Sequence, residues 1–129
     1  MLQKNEKRVL EGDLQKLLLL AVSLKFPTIH FFPRKVGAIK VDAGTPDERM
    51  FRAGQVGQAD LYAIADGGKH YEIELKRFTR LSHAQIVWQA RCLTWRVPHI
   101  VLVAIRDESH TDTIERWLTE LTRFFRSYP

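Results

Sequence analysis

Asp60-Leu-Tyr-Ala-Ile-Ala-Asp-Gly-Gly-Lys-His-Tyr-Glu-Ile-Glu-Leu-Lys76 is the stretch whose reading decides the fold. It reads as two short strands joined by a glycine turn. An acid opens the first strand, and an acid-x-lysine closes the second. Side chains alternate faces along a strand, so Glu74 and Lys76 project to one side while Ile73 and Leu75 project to the other. The turn sets what lies opposite them. A two-residue loop at Gly67-Gly68 puts Asp60 opposite Leu75, on the wrong face. A three-residue loop, Asp66-Gly67-Gly68 with Gly68 left-handed, pairs Asp60 with Glu74. Directly opposed residues have Cβ atoms roughly 4.5–5.5 Å apart, which lets both carboxylates reach one ion. Two such carboxylates suit a hard divalent cation, and a lysine beside them can hold and polarise a water or a phosphate oxygen. That is the chemistry of metal-assisted phosphodiester hydrolysis. The plainer alternative is an exposed hairpin face with a Glu-Lys ladder, Asp60 being a turn residue at the strand start.

Outward from the hairpin, residues 6–25 read as a first helix with Leu10, Leu14, Leu17, Leu18, Ala21 and Leu24 as its apolar stripe, ended by Pro27. Thr28 to Phe32 and Val36 to Val41 are short strands. Asp42 to Gly57 reads as a polar, glycine-bearing loop. Ser82-His-Ala-Gln85 is a capping box that opens a second helix, running to about Arg96. Ile86, Ala90, Leu93 and Val97 are expected on its inner face, with Trp88 and Trp95 to one side. His99 to Ile105 is a continuous apolar run, expected as a strand buried on both faces. Ser109 or Thr111 caps a last helix that turns Ile114, Trp117, Leu118, Leu121 and Phe125 inward. The expectation is one α/β domain over residues 1–129, a mixed sheet flanked by helices.

Composition narrows the class. Apolar residues at 45% and charged residues at 27% exclude a disordered chain. No apolar run, Leu17 to Val22 included, is long enough to span a membrane, and the charged N-terminus lacks a signal-peptide pattern. One cysteine, Cys92, excludes an internal disulfide and a multi-cysteine zinc site, and it fits a packed core thiol. A cytoplasmic setting is expected. The net charge of +5 favours polyanion partners. Arg34, Lys35, Lys40, Arg49, Arg52, Lys76, Arg77 and Arg80 all fall between residues 34 and 80, around the hairpin. Lys40, Arg52, Arg77, Arg80 and His83 are the candidate phosphate contacts. The five histidines lack metal-ligand spacing, and Glu72 is expected to be peripheral.

The order αβββαβ with Asp60 and then Glu74-x-Lys76 resembles the PD-(D/E)XK nuclease superfamily. Within it, Gly54-x-x-Gly57-x-x-Asp60, Tyr71-x-Ile-Glu-Leu-Lys76 and Arg80-Leu-Ser-x-x-Gln85-x-x-Trp88 resemble the VRR-NUC (virus-type replication-repair nuclease) family over about residues 8–105. The resemblance implies a restriction-endonuclease-like core with an extra C-terminal helix. It also implies a metal-dependent DNA endonuclease acting on branched, flap or junction DNA as a homodimer. The implied Mg²⁺ or Mn²⁺ ligands are Asp60, Glu74, the backbone carbonyl of Leu75, and Glu11 on the first helix. Lys76 would orient the attacking water, and Gln85 is a family mark. Two of these residues keep a second reading: Gln85 also completes the capping box, and Glu11 is also an acid favoured by the helix dipole. Ala59 departs from the family's proline before the aspartate, and Trp95 or its neighbour replaces a glycine near the end of the second helix. The rival function is a non-catalytic DNA-binding module that keeps the nuclease fold. The aromatic residues of the last helix are candidates for a dimer interface, or for packing on the domain's own sheet.

Overall fold

The computed structural model describes the backbone of residues 4–34, 37–41, 44–53, 57–78 and 80–129, and the side chains of 12–34, 44–48, 57–78 and 80–129. The chain runs α1 (Lys4–Lys25), β1 (His30–Pro33), β2 (Gly37–Val41), β3 (Arg49–Ala53), β4 (Leu61–Ala65), β5 (Lys69–Arg77), α2 (His83–Thr94), β6 (His99–Ala104) and α3 (His110–Ser127). β5 lies inside a four-stranded sheet of order β1-β4-β5-β6. β1, β4 and β5 form an antiparallel meander, while β6 runs parallel to β5 after the α2 crossover. Leaving aside the separate β2-β3 ribbon, the elements α1, β1, β4, β5, α2 and β6 give the restriction-endonuclease-like αβββαβ core, with α3 as the additional C-terminal helix.

Both sheet faces are covered. On one, Leu14, Leu18 and Val22 of α1 and Trp117, Leu121 and Phe124 of α3 pack on Leu61, Ala63, Tyr71, Ile73, Leu102 and Ala104. On the other, Trp88 and Cys92 of α2 pack with Ala59 and Val97. α3 is anchored at its start by the Ser109 cap, whose side chain accepts from the Asp112 amide at 3.1 Å. Arg116 and Trp117 both donate to the Val103 carbonyl, at 2.6 and 3.1 Å, which joins α3 to β6. At the other end Tyr71 donates to the Tyr128 carbonyl at 2.5 Å. The α3 aromatics therefore serve the chain's own core, with only Tyr128 left substantially exposed.

Several expectations are corrected. Arg49–Ala53 is not loop but strand β3, paired with β2 in a ribbon apart from the main sheet. Five residues pairing with a single neighbour give too short a periodic signal to rise above the flanking turn residues. β6 is not buried on both faces. It is an edge strand, and Val103 and Ile105 are exposed. In α1 the inward set is Leu14, Leu18 and Val22, whereas Leu17 and Leu24 are exposed, Leu24 to 86%. Repeated steps of four residues keep a narrow stripe on the sheet, and a leucine-rich helix carries surplus leucines beyond it. In α2 the inward residues are Trp88 and Cys92, while Ile86 and Leu93 face out, Leu93 at 81% exposure.

Candidate active site

The turn that sets the register is the three-residue one. Asp66–Gly68 forms a single 3-10 turn with φ of 82° at Gly67 and 78° at Gly68, a backbone that glycine adopts without steric cost. Leu61 consequently faces Ile73 and Ala65 faces Lys69, so continuing the ladder one step brings Asp60 to Glu74. The Leu75 amide donates to Asp60 Oδ2 at 2.9 Å and fixes that carboxylate against β5. The Asp60 and Glu74 carboxyl groups are close enough for Asp60 to influence the ionisation of Glu74.

The approach to Asp60 is fixed from both sides. Arg34, just past β1, donates its amide to the Asp60 carbonyl at 2.8 Å and Nη1 to the Ala59 carbonyl at 3.2 Å. Ala59 is buried against Trp88 and Cys92, so packing holds the strand entry. Gly57 has φ of 90°, and a Cβ there would lie 2.3 Å from the Ala84 carbonyl oxygen. This motif glycine allows the segment to press against the first turn of α2.

Gln85 brings that turn to the site. Its Oε1 accepts from Lys76 Nζ at 3.0 Å and from the Ser82 amide at 2.8 Å; its Nε2 donates to Glu74 Oε1 at 3.2 Å. Its own amide donates to Ser82 Oγ at 3.2 Å. The capping box and the site contact are thus the same residue acting in both ways. With Gln85 turned to the sheet, Trp88 and Cys92 follow three and seven residues later on the same helix face, and Ile86 and Leu93 fall about a quarter turn away. This is why the sequence-based choice of inner face fails.

Electrostatics separate two glutamates on one strand face. Glu74, 3% exposed, has its pKa pushed up to about 9 by burial and then by the hydrogen bond and charge of Asp60, against the opposing charges of Lys76 and Arg34. Glu72, 1% exposed, is also pushed up by burial, yet its bonds to Arg34 and His70 outweigh this and hold it below the usual carboxylate range. It accepts from Arg34 at 2.5 and 2.9 Å and from Trp88 Nε1 at 3.1 Å, with His70 Nε2 at 2.5 Å. Far from peripheral, Glu72 anchors β5 to β1 and α2. The available signal was its position two residues before Glu74 on the same face.

Asp60, Leu75 and Lys76 open onto a cavity of about 390 Å³, which Gly12, Gln15 and Lys16 of α1 also line. Two carboxylates and a main-chain carbonyl are hard oxygen donors of the kind that hold Mg²⁺ or Mn²⁺ with waters and phosphate oxygens completing the shell. No cluster of three or more His, Cys, Asp or Glu side chains occurs among the described residues. Glu11 lies in α1, one turn before Gln15, but its side chain is outside the described residues, as are those of Lys40 in β2 and Arg52 in β3. Arg77 lines the same cavity but is only 8% exposed and stands on the opposite strand face from Lys76. Arg80 and His83 are exposed near the start of α2. The structure brings Asp60, Glu74, Lys76 and Gln85 together. Cys92 is buried, its thiol pushed up to about 11 chiefly by burial, as befits a core residue. No family model matches the chain, and no curated protein matches it in sequence.

Proposed function

We propose that this chain is a Mg²⁺- or Mn²⁺-dependent DNA endonuclease of the VRR-NUC type. The observation that supports it is the convergence of Asp60, Glu74, Lys76 and Gln85 from two strands and a helix start on one side of the sheet, with Asp60 and Lys76 lining a cavity. Asp60 and Glu74, with the Leu75 carbonyl, would hold the cation, and Glu11 is the candidate fourth ligand. The bound cation supplies charge neutralisation on the phosphate and on the leaving oxygen. Lys76, tethered by Gln85, orients the attacking water. Gln85 fixes Glu74 and Lys76 relative to each other, so neither has to be ordered when substrate arrives.

Arg80, His83, Lys40 and Arg52 are proposed phosphate contacts, with Arg77 acting from the cavity wall. Phosphate contacts carry no base information, which favours branched or flap DNA over a sequence-defined target. A homodimer in the cytoplasm belongs to the same reading. Its support is an apolar groove of about 700 Å³ lined by Ile86, Leu93, Val97, Pro98 and Tyr128, beside the exposed Trp95. No helix among the described residues is long and apolar enough to cross a membrane. The test is incubation of branched and linear DNA with Mg²⁺ or Mn²⁺, comparing wild type with Glu74→Ala and Lys76→Ala. Cutting that needs the cation and is lost in both variants is expected. Equal cutting by all three proteins refutes the assignment.

A further inference from the structure

On the sheet face that carries Glu74, α2 packs near β5 and β6, and this face extends past it. Towards β1 it presents three rings in a column. Phe32 stacks on Tyr62 with centroids 5.0 Å apart and planes 19° apart, and Tyr62 stacks on His70 at 5.6 Å and 20°. Phe32 faces Tyr62 directly across β1-β4, and His70, two residues before Glu72 on the same face of β5, reaches Tyr62 diagonally. The column is braced from within. Arg34 lies 4.8 Å from the Tyr62 ring centroid while its guanidinium is clamped by Glu72, which also holds His70. Phe32 is 40% exposed on the edge strand β1, leaving the end of the column open, and the His70 side chain is 42% exposed.

Resting on the nuclease reading of the neighbouring carboxylates, we infer that this column is a stacking platform for an unpaired nucleobase of the strand presented to Asp60 and Glu74. Three features select that occupant. Flat rings held parallel offer a π-face, to which bases of any sequence stack. The platform is ordered in advance by a buried ion pair, so stacking costs little side-chain freedom. It is also continuous with the proposed phosphate site: Glu72, opposite Tyr62, is one same-face step, roughly 7 Å, from Glu74 along β5. The net charge of +5 suits a polyanion. Bases paired in a duplex keep their faces stacked on their neighbours. The platform therefore distinguishes frayed, flap or branch-point strands from intact duplex.

The experiment is fluorescence anisotropy in EDTA with a labelled oligothymidylate and a blunt duplex of equal length, using the full chain and Phe32→Ala, Phe32→Leu and Phe32→Trp. Phe32→Ala and Phe32→Leu should weaken oligothymidylate binding roughly tenfold, leave duplex binding within about a factor of two, and retain wild-type urea denaturation. Phe32→Trp should restore binding. The inference is overturned if wild type binds no oligothymidylate, or if the alanine variant binds it unchanged. It is also overturned if both DNAs weaken alike, or if the substitution changes the sedimentation of the free protein, which would assign the patch to a second copy. Binding is read without metal, so its outcome is independent of cutting. A platform that holds in a protein that never cleaves would sink the nuclease reading alone, and cleavage with an inert Phe32 would sink the platform alone.

Discussion

Replacing Glu74 by Gln should remove the loss of stability with rising pH that the buried acid causes. Glu74 keeps its proton in the metal-free protein up to about pH 9, whereas the same carboxyl in the unfolded chain ionises near its ordinary value of 4.5. Between those limits the native state binds one proton more than the unfolded state, so stability falls as pH rises, by up to about 1.4 kcal/mol per pH unit. Glutamine mimics the protonated acid: its amide can donate towards Asp60, and its oxygen can still accept from Gln85 Nε2, the bond that is 3.2 Å long in wild type. Between pH 6 and pH 8, Glu74→Gln should therefore gain about 2.7 kcal/mol on wild type. The assay is urea denaturation in EDTA at pH 6, 7 and 8 for both proteins, comparing the difference between the curves rather than either alone. Other titrating groups are common to both and cancel. Ligation of a cation needs ionised Glu74, so Mg²⁺ or Mn²⁺ should stabilise wild type more at pH 8 than at pH 6 and should do little for the variant. Parallel pH curves for the two proteins would refute the reasoning, because Glu74 would then already be ionised in the folded state.

Three further outcomes are expected. Gln85→Ala removes the tether of Lys76 along with one arm of the capping box, and should lower cleavage at least tenfold. Ser82→Ala removes only the cap acceptor and should cost about 1 kcal/mol in urea with near wild-type cleavage. Equal losses of cleavage in both would reduce Gln85 to a helix cap. Gly57→Ala adds a Cβ 2.3 Å from the Ala84 carbonyl oxygen at a positive φ, and should destabilise by at least about 2 kcal/mol in thermal or urea unfolding. Arg96 holds φ of 58° just after α2, where the Val97 amide closes back on the Cys92 carbonyl at 2.8 Å. Arg96→Gly should therefore raise stability by about 1 kcal/mol, and an unchanged unfolding midpoint would count against the cap geometry.

Features governed by local chemistry were legible in the sequence. Pro27 follows α1, Ser82 and Gln85 open α2, and Ser109 opens α3, each through contacts within a few residues. The sequence left the hairpin open between a two-residue and a three-residue turn, and the structure takes the three-residue Asp66-Gly67-Gly68 turn. What the sequence hid is set by partners far along the chain. Arg34 meets Glu72 across a separation of 38 residues, and no periodicity announces a pair of that kind. The inner face of α2 follows from the same distant acid. A buried carboxylate demands donors, and Trp88 Nε1 at 3.1 Å supplies one, so the helix turns Trp88 inward and leaves Ile86 and Leu93 outside. Apolar patterning alone favours the opposite orientation. The edge position of β6 is likewise a property of strand order, which no stretch of apolar residues encodes.

Glu72 and Glu74 share a strand, a face and near-complete burial, yet their ionisation moves in opposite directions. The difference lies in their partners. Glu72 receives both guanidinium arms of Arg34, the Trp88 indole and the His70 ring, which spends its acceptor capacity on the protein itself. Glu74 meets one amide donor from Gln85, and burial together with the neighbouring Asp60 carboxyl pushes its pKa up to about 9. A buried acid whose oxygens are already taken by donors within the protein has little to offer a ligand. An acid kept neutral beside another acid has charge to gain when a cation displaces its proton. By that criterion the exchangeable position on β5 is Glu74 rather than Glu72, and the Arg34–Glu72 pair is the frame that keeps Asp60 and Glu74 apposed.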